Sequence, residues 1–295
     1  MNILRLDENM FNIILKFLDD KSKLSILSCC SFLNKMKYDI SYNFIFDDIY
    51  NYAFVKNLPY YFRFRKISYY SKNLTIPDRI THLRFCNEFN REINSLPEII
   101  THITFGKWFN KPIKKDALQR VKYIKFGKEF NQNIDNCLPD TLKYLLFGDE
   151  FNQPILNCIP TNVKYLTFGK WFNQPIDNII PNTVKYLVFG DYFDQPITSL
   201  PKKIKHLTFG KFFNSDITAP LPLSLKYIVL RCCRIKNLIN ILPNNLEYLE
   251  LSKYYNGDLF DFLPKNIKVL KLNYYCYDRN KEYISPDTII LFHKN

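Results

Sequence analysis

Histidine, cysteine and lysine are the side chains of this 295-residue sequence best placed to do chemistry, and their spacing argues against catalysis. Three of the four histidines, His82, His102 and His206, recur at one place in a repeating unit where other copies carry Tyr. A catalytic imidazole would need a nucleophile and an orienting carboxylate of its own, and none accompanies them. The eight cysteines include the adjacent pairs Cys29-Cys30 and Cys232-Cys233 but no C-x-x-C and no Cys/His cluster with zinc spacing. Cys137 and Cys158 sit in equivalent places where the next copy has Ile179, which predicts small core fillers and a reducing compartment. There is no G-x-S-x-G or H-E-x-x-H, the glycines are too far apart to cradle a phosphate, and the acidic pair Asp149-Glu150 falls at a variable loop site. The expectation is a non-enzymatic protein without metal or cofactor.

The elements that carry these residues repeat. FNQPI occurs identically at Phe151 to Ile155 and Phe172 to Ile176, with variants FNREI from Phe89, FNKPI from Phe109, FNQNI from Phe130, FDQPI from Phe193 and FNSDI from Phe213. Between boxes lies a second element, such as VKYLTFG from Val163, usually preceded by Pro three residues upstream. Its first apolar residue marks a regular series: Ile80, Ile100, Val121, Leu142, Val163, Val184, Ile204, Leu225, Leu246 and Ile267, with weaker copies at Phe64 and Ile289. Apolar residues at positions one, four and six, as in Val163, Leu166 and Phe168, alternate as a strand does. Six of seven glycines follow that strand, which predicts a backbone requirement such as a turn with positive φ. One short strand in a coil of about 20 to 22 residues leaves no room for a long helix. Such coils stack into a curved parallel-β solenoid at a strand spacing of about 4.8 Å. Like residues then lie over like, burying boxed phenylalanines at about 2 to 3 kcal/mol each. The Asn column after them (Asn90, Asn110, Asn131, Asn152, Asn173, Asp194, Asn214) can bond the backbone of a neighbouring coil.

The box and its spacing resemble the FNIP repeat, named for Phe-Asn-x-Pro-Ile and belonging to the leucine-rich-repeat class. The L-x-x-L-x-F frame with its upstream Pro also resembles the short bacterial leucine-rich subtype. The likeness runs from about Leu58 onward, and after Leu225 the box is lost (Cys232-Cys233, Tyr254-Tyr255) while the strand frame persists.

Residues 3–37 read as about three short helices, with Leu6, Ile14, Leu18, Leu24, Leu27 and Leu33 at helical spacings and Asp20 or Ser22 available to cap the second. This segment resembles an F-box at Leu6, Glu8, Ile14, Leu15, Leu18, Leu24, Leu27, Cys30 and Asn34, although Asp7 stands in place of the usual Pro and Leu33 in place of a common aromatic. The resemblance implies docking onto a Skp-type adaptor of a cullin-based ubiquitin ligase, with Leu6, Ile14, Leu18, Leu24 and Leu27 as contacts. It also implies an amoebal or viral chain acting in the host cytoplasm. The alternative is a stand-alone scaffold protein whose helical head only caps the first coil.

The expected organisation is an α+β repeat protein: an F-box-like helical segment over 1–40, a linker and degenerate first coil over 41–79, the FNIP array over 80–224, and degenerate coils with a cap over 225–295. No run of apolar residues is long enough to span a membrane, and Asp7 and Glu8 precede any apolar stretch, so no signal peptide is expected.

Two columns are candidates for binding a partner. Strand alternation turns His82, His102, Tyr123, Tyr144, Tyr165, Tyr186, His206, Tyr227 and Tyr248 toward the concave face, where aromatic area with a polar tip suits protein contact; stacking that merely stiffens the sheet is the alternative. One position earlier run Lys122, Lys143, Lys164, Lys185, Lys205, Lys226 and Lys268, a basic rim. Residues 1–60 carry equal numbers of acidic and basic side chains, so the whole net charge of +13 belongs to the array. A solvated edge, an acidic protein partner and, last, nucleic acid are the readings of that rim.

Overall fold

In a computed structural model of the chain, the described residues are 8–218, 220–232, 242–260, 263–264 and 266–294. Three short helices, α1 (Glu8–Phe17), α2 (Asp20–Ile26) and α3 (Ser31–Lys35), precede a parallel solenoid. Its strands are β1 (Phe46–Asn51), β2 (Phe64–Ser71), β3 (His82–Phe85), β4 (His102–Thr104), β5 (Tyr123–Lys125), β6 (Tyr144–Leu146) and β7 (Tyr165–Thr167). They continue as β8 (Tyr186–Val188), β9 (His206–Phe209), β10 (Tyr227–Leu230), β11 (Tyr248–Glu250), β12 (Val269–Leu272) and β13 (Ile289–Phe292). All 13 form one sheet in strict sequence order. A short helix, α4 (Tyr52–Val55), follows β1, and α5 (Tyr274–Asn280) lies between β12 and β13.

Register follows the repeat: Tyr144 pairs with Tyr165, Leu145 with Leu166 and Leu146 with Thr167. β1 pairs with β2 within residues 41–79, the stretch expected to hold a linker and a degenerate first coil, so the sheet begins one strand before the repeat pattern. Ile289 pairs with Val269, so it occupies the third position of its coil and not the first, and it is exposed. Eight of the upstream prolines, from Pro97 to Pro264, lend their carbonyl to the N–H three residues on, as Pro160 does to Val163 at 3.1 Å, which turns the chain into the strand.

Two phenylalanine columns fill the interior. Within a coil the strand Phe and the boxed Phe stack at 3.8 to 4.4 Å, as in Phe168–Phe172 and Phe209–Phe213. Between coils Phe130, Phe151 and Phe172 follow one another at 6.1 Å, nearly parallel and fully buried. The Asn column behaves as its side-chain chemistry predicts: the Asn152 Oδ1 accepts the backbone N–H of Asn173 at 2.9 Å and the Gln174 Nε2 amide at 3.0 Å. The same bond recurs from Asn90 to Asn214, across a stretch with no strand ladder.

The glycine column has a different cause from the one expected. No glycine among the described residues has positive φ; the left-handed turn is made later in the coil, by Asn136, Asn157 and Asn178. What excludes a side chain is the coil beneath. A Cβ on Gly148 would lie 1.7 Å from the Gly127 carbonyl oxygen and 2.6 Å from its carbon, with the same collision at the other column glycines. These backbones touch, and only hydrogen fits between them.

The head is fastened by two buried charges. The cap of α2 is Asp19, whose Oδ1 accepts the Ser22 N–H at 2.7 Å, and not Asp20 or Ser22 as the sequence suggested. Asp20 instead is buried and accepts hydrogen bonds from the Lys23 ammonium (3.1 Å), the Asp48 N–H (2.7 Å) and the Tyr50 hydroxyl (3.0 Å), binding α2 to β1. The buried Arg63 guanidinium donates to the carbonyls of Lys37, Tyr42 and Phe44 at 2.7 to 3.0 Å and also to those of Met36 and Asp39, with the Phe44 ring 4.0 Å beneath it.

Gly148→Ala should lower unfolding free energy by about 3 kcal/mol or more in a urea titration, because the new methyl meets fixed backbone. Gly257→Ala, where the methyl meets the movable Tyr255 ring, should cost about 1 kcal/mol. A wild-type midpoint for Gly148→Ala contradicts the close approach. Asn152→Ala strands the Asn173 N–H and leaves Gln174 only the Asn152 backbone carbonyl, and should cost about 1 to 3 kcal/mol, while Asn152→Asp, which the column already uses at Asp194, should stay near wild type. Equal effects of Ala and Asp would refute the acceptor role.

Candidate protein-interaction surface

Three candidate surfaces are the outer face of the sheet, the lysine edge beside it, and one side of α1. The sheet orders the first. Positions four and six turn inward, as Leu166 and Phe168 do, so position three must face out. Along it the rings stack on their neighbours. His82–His102 centroids are 4.1 Å apart, Tyr144–Tyr165 4.4 Å, and Tyr165–Tyr186, Tyr186–His206 and His206–Tyr227 4.2 Å each. The run loosens at His102–Tyr123 (5.7 Å), Tyr123–Tyr144 (6.0 Å, tilted) and Tyr227–Tyr248 (5.9 Å, tilted).

Stacking leaves ring edges and polar tips exposed, and burial shifts their titration. Burial, then His102 and Lys66, lowers His82 to about 4. Burial followed by Lys122 lowers His102, and burial followed by Lys205 lowers His206. Burial and the hydroxyl bond to Glu250 (2.9 Å) raise Tyr248 to about 12. The Thr81 and Thr101 hydroxyls sit 2.8 Å from Nδ1 of His82 and His102, and among the described residues neither ring meets a carboxylate. Among the described residues no group of three or more His, Cys, Asp or Glu is arranged to hold a metal. Cys137 and Cys158 are buried; burial raises the Cys137 thiol to about 11, and burial followed by its bond to Asp135 (2.7 Å) raises Cys158 to about 12. Such thiols are poor nucleophiles at neutral pH.

The lysine column runs one residue before the aromatic one, and its backbone is part of the ladder: the Lys164 N–H donates to the Lys143 carbonyl at 2.9 Å, and the Lys185 N–H to Lys164 at 2.8 Å. Lys122, Lys143, Lys164 and Lys205 are exposed, Lys185 and Lys226 half-exposed. Glu247 takes the lysine place in the next coil and bridges Lys226 (3.0 Å) and Lys268 (3.1 Å).

The head residues separate by burial. Leu27 is fully buried, Leu18 and Leu24 are half-buried against the core, and Ile14 is exposed; Leu6 lies outside the described residues. On α1, Phe11 and Leu15 enter the core, while Met10, Ile13, Ile14 and Phe17 face outward, Phe17 at 87% exposure. Of these only Ile14 was named from the sequence, yet Met10, Ile13 and Phe17 have the spacing of one helix side. A second feature missed was an exposed ledge before the boxes, where Trp171 stacks on Tyr192 at 4.1 Å and Tyr192 on Phe212 at 4.7 Å; its 21- and 20-residue spacing was the available signal.

Comparison with known proteins agrees with this geometry. The family model described as FNIP Repeat matches residues 70–107, 89–129, 109–150, 130–171, 151–192, 172–212 and 236–275. A protein of Acanthamoeba polyphaga mimivirus named as an F-box protein, L165, is 33% identical over 88 residues, about 30% of this chain and 31% of that one. The crystal structure of CroV588, described as a novel circular leucine-rich-repeat protein, superposes with a TM-score of 0.70 and 36% identity over 79% of this chain and 37% of that chain. This chain therefore spans about a third of the length of each. No helix among the described residues is long and apolar enough to cross a membrane.

The depressed histidines set an acid limit. The neutral imidazole of His82 is favoured in the fold, so its contribution is complete above about 6.5 and is lost as pH falls toward about 4. NMR titration of the imidazole protons should place the His82 midpoint near 4; a midpoint near 6.5 would show that the ring is solvated and unstacked.

Proposed function

This chain belongs to the FNIP repeat family, and from that premise we propose that it is a protein-interaction adaptor in which α1 docks a Skp-type component of a ubiquitin ligase and the outer sheet face receives a target protein. The observation that carries the reading is the two-sided α1. Its inner side is locked into the core by Phe11 and Leu15, and its outer side offers Met10, Ile13, Ile14 and Phe17 to solvent. A helix that served only as a lid would have no physical reason to expose four large apolar side chains together, and such a patch fits partner contact. The F-box name of the mimivirus relative supports the same partner class. Within this reading Ile14, with Met10, Ile13 and Phe17 beside it, forms the adaptor contact, whereas Leu27, and in part Leu18 and Leu24, hold the helices to the solenoid. Tyr123, Tyr144, Tyr165, Tyr186, His206, Tyr227 and Tyr248 supply the target-facing surface.

The scaffold alternative keeps one specific support, the Asp20 and Arg63 bonds that make the head a cap for β1 and β2. A cap and a docking element are compatible, because the cap bonds belong to Asp20 on α2 and to Arg63, while the docking side belongs to α1.

Pull-down of a purified Skp-type adaptor by the full chain should succeed. Phe17→Asp should weaken it at least about tenfold with unchanged thermal stability, and Phe54→Asp, at an exposed Phe on α4, should not. No binding by the wild type, or equal binding by Phe17→Asp, rejects the ligase reading.

A further inference from the structure

Among the described residues a minority of the array's basic side chains pair with a carboxylate, and along the lysine column the pairing is confined to its C-terminal end. Lys226 and Lys268 share Glu247, and Lys271 pairs with Glu250 at 3.2 Å. Among the described residues no carboxylate pairs with Lys122, Lys143, Lys164, Lys185 or Lys205, which follow one another at the strand spacing of about 4.8 Å. Like charges at that distance repel by about 0.8 kcal/mol in water before screening. The outward strand positions beside them, from β3 to β13, carry one acidic residue, Glu250. The fold has thus kept a run of like charge where any one glutamate would have relieved it.

Glu247 shows how it would be relieved. Sitting at the lysine place, it reaches the ammonium groups of the coils before and after it, and those two bonds hold its carboxyl below the usual carboxylate range. A carboxylate supplied from outside to the free stretch meets the same paired donors at each step.

We propose that Lys122, Lys143, Lys164, Lys185 and Lys205 form a docking track for an acidic polypeptide segment, each ligand carboxylate bridging lysines of successive coils as Glu247 does. This rests on the reading of the sheet face as the target-binding surface and names the chemistry of the target. The stacked rings alongside favour a peptide over a nucleic acid. Tyr144, Tyr165, Tyr186, His206 and Tyr227 spend their faces on one another, so a base finds no free ring face to stack on, whereas their edges and hydroxyls remain for peptide contact.

The test is fluorescence anisotropy of a labelled oligo-glutamate peptide with the full chain at low salt, without any adaptor present, so that its failure and that of the ligase reading are separate results. The wild type should bind. Lys143→Gln/Lys164→Gln/Lys185→Gln should weaken the dissociation constant by about tenfold, and Lys164→Glu, which places an internal carboxylate between Lys143 and Lys185, should do so with a single change. Glu247→Gln should strengthen binding a few-fold by freeing Lys226 and Lys268. Each variant should keep the wild-type melting temperature to within a few degrees. No binding by the wild type, unchanged affinity in the triple variant, or tighter binding of an oligothymidylate of equal length would overturn the proposal.

Discussion

The contact on which the rest depends is that of one backbone with the next at the glycine column. Gly106 to Gly210 stack so closely that each carbonyl fills the space a side chain above it would need. That contact fixes the distance and offset between coils, and every other column inherits them. Phenylalanine lies on phenylalanine because the backbone leaves a ring-sized slot, and Asn bonds the next N–H because that N–H arrives at the same height each time. Side chains cannot slip by part of a coil without driving a Cα into a carbonyl.

A structure in which like lies on like treats residue classes unequally. Aromatic rings and amides gain from meeting their own kind, while charges lose, and the difference separates interior from surface. Lysine is confined to an edge where long stems diverge into water. The ends differ as well. At the first strand, Asp20 accepts the Asp48 N–H and Arg63 gathers carbonyls from the 36–44 segment, so the head is joined to the solenoid by one-off polar bonds and not by repeated packing. α1, held by Phe11 and Leu15 in the core, is free to present its other side.

The middle of the array was legible in the sequence because each coil restates it: seven Phe-Asn boxes, one strand frame and one Asn column predicted both the parallel stack and the amide bonds. What was not legible is what occurs once. β1 has the sequence FDDIYN, with two aspartates and no frame, and becomes a strand only because β2 and the Asp20 carboxylate take up its backbone groups. α5 replaces a box with YYCYDRN, anchored by the Asn280 side chain, which donates to the Cys276 carbonyl and accepts the Leu259 N–H. The glycine column was visible, but its cause was misassigned, since a conserved-looking Gly in one chain reads alike whether it serves a turn or a contact. On the candidate surfaces, the aromatic and lysine columns were found from their spacing. The outward side of α1 was found only in part, because helical periodicity names two sides and burial alone says which one faces water.

Spin labels placed pairwise on the lysine column test the stacking most directly. With one label fixed at position 122 and the other at 185, 205 or 226, coils lying over one another at about 4.8 Å predict separations rising by one spacing per repeat, to about 24 Å for the 122/226 pair. Distances that do not increase with repeat number, or that jump irregularly between adjacent coils, would contradict the account.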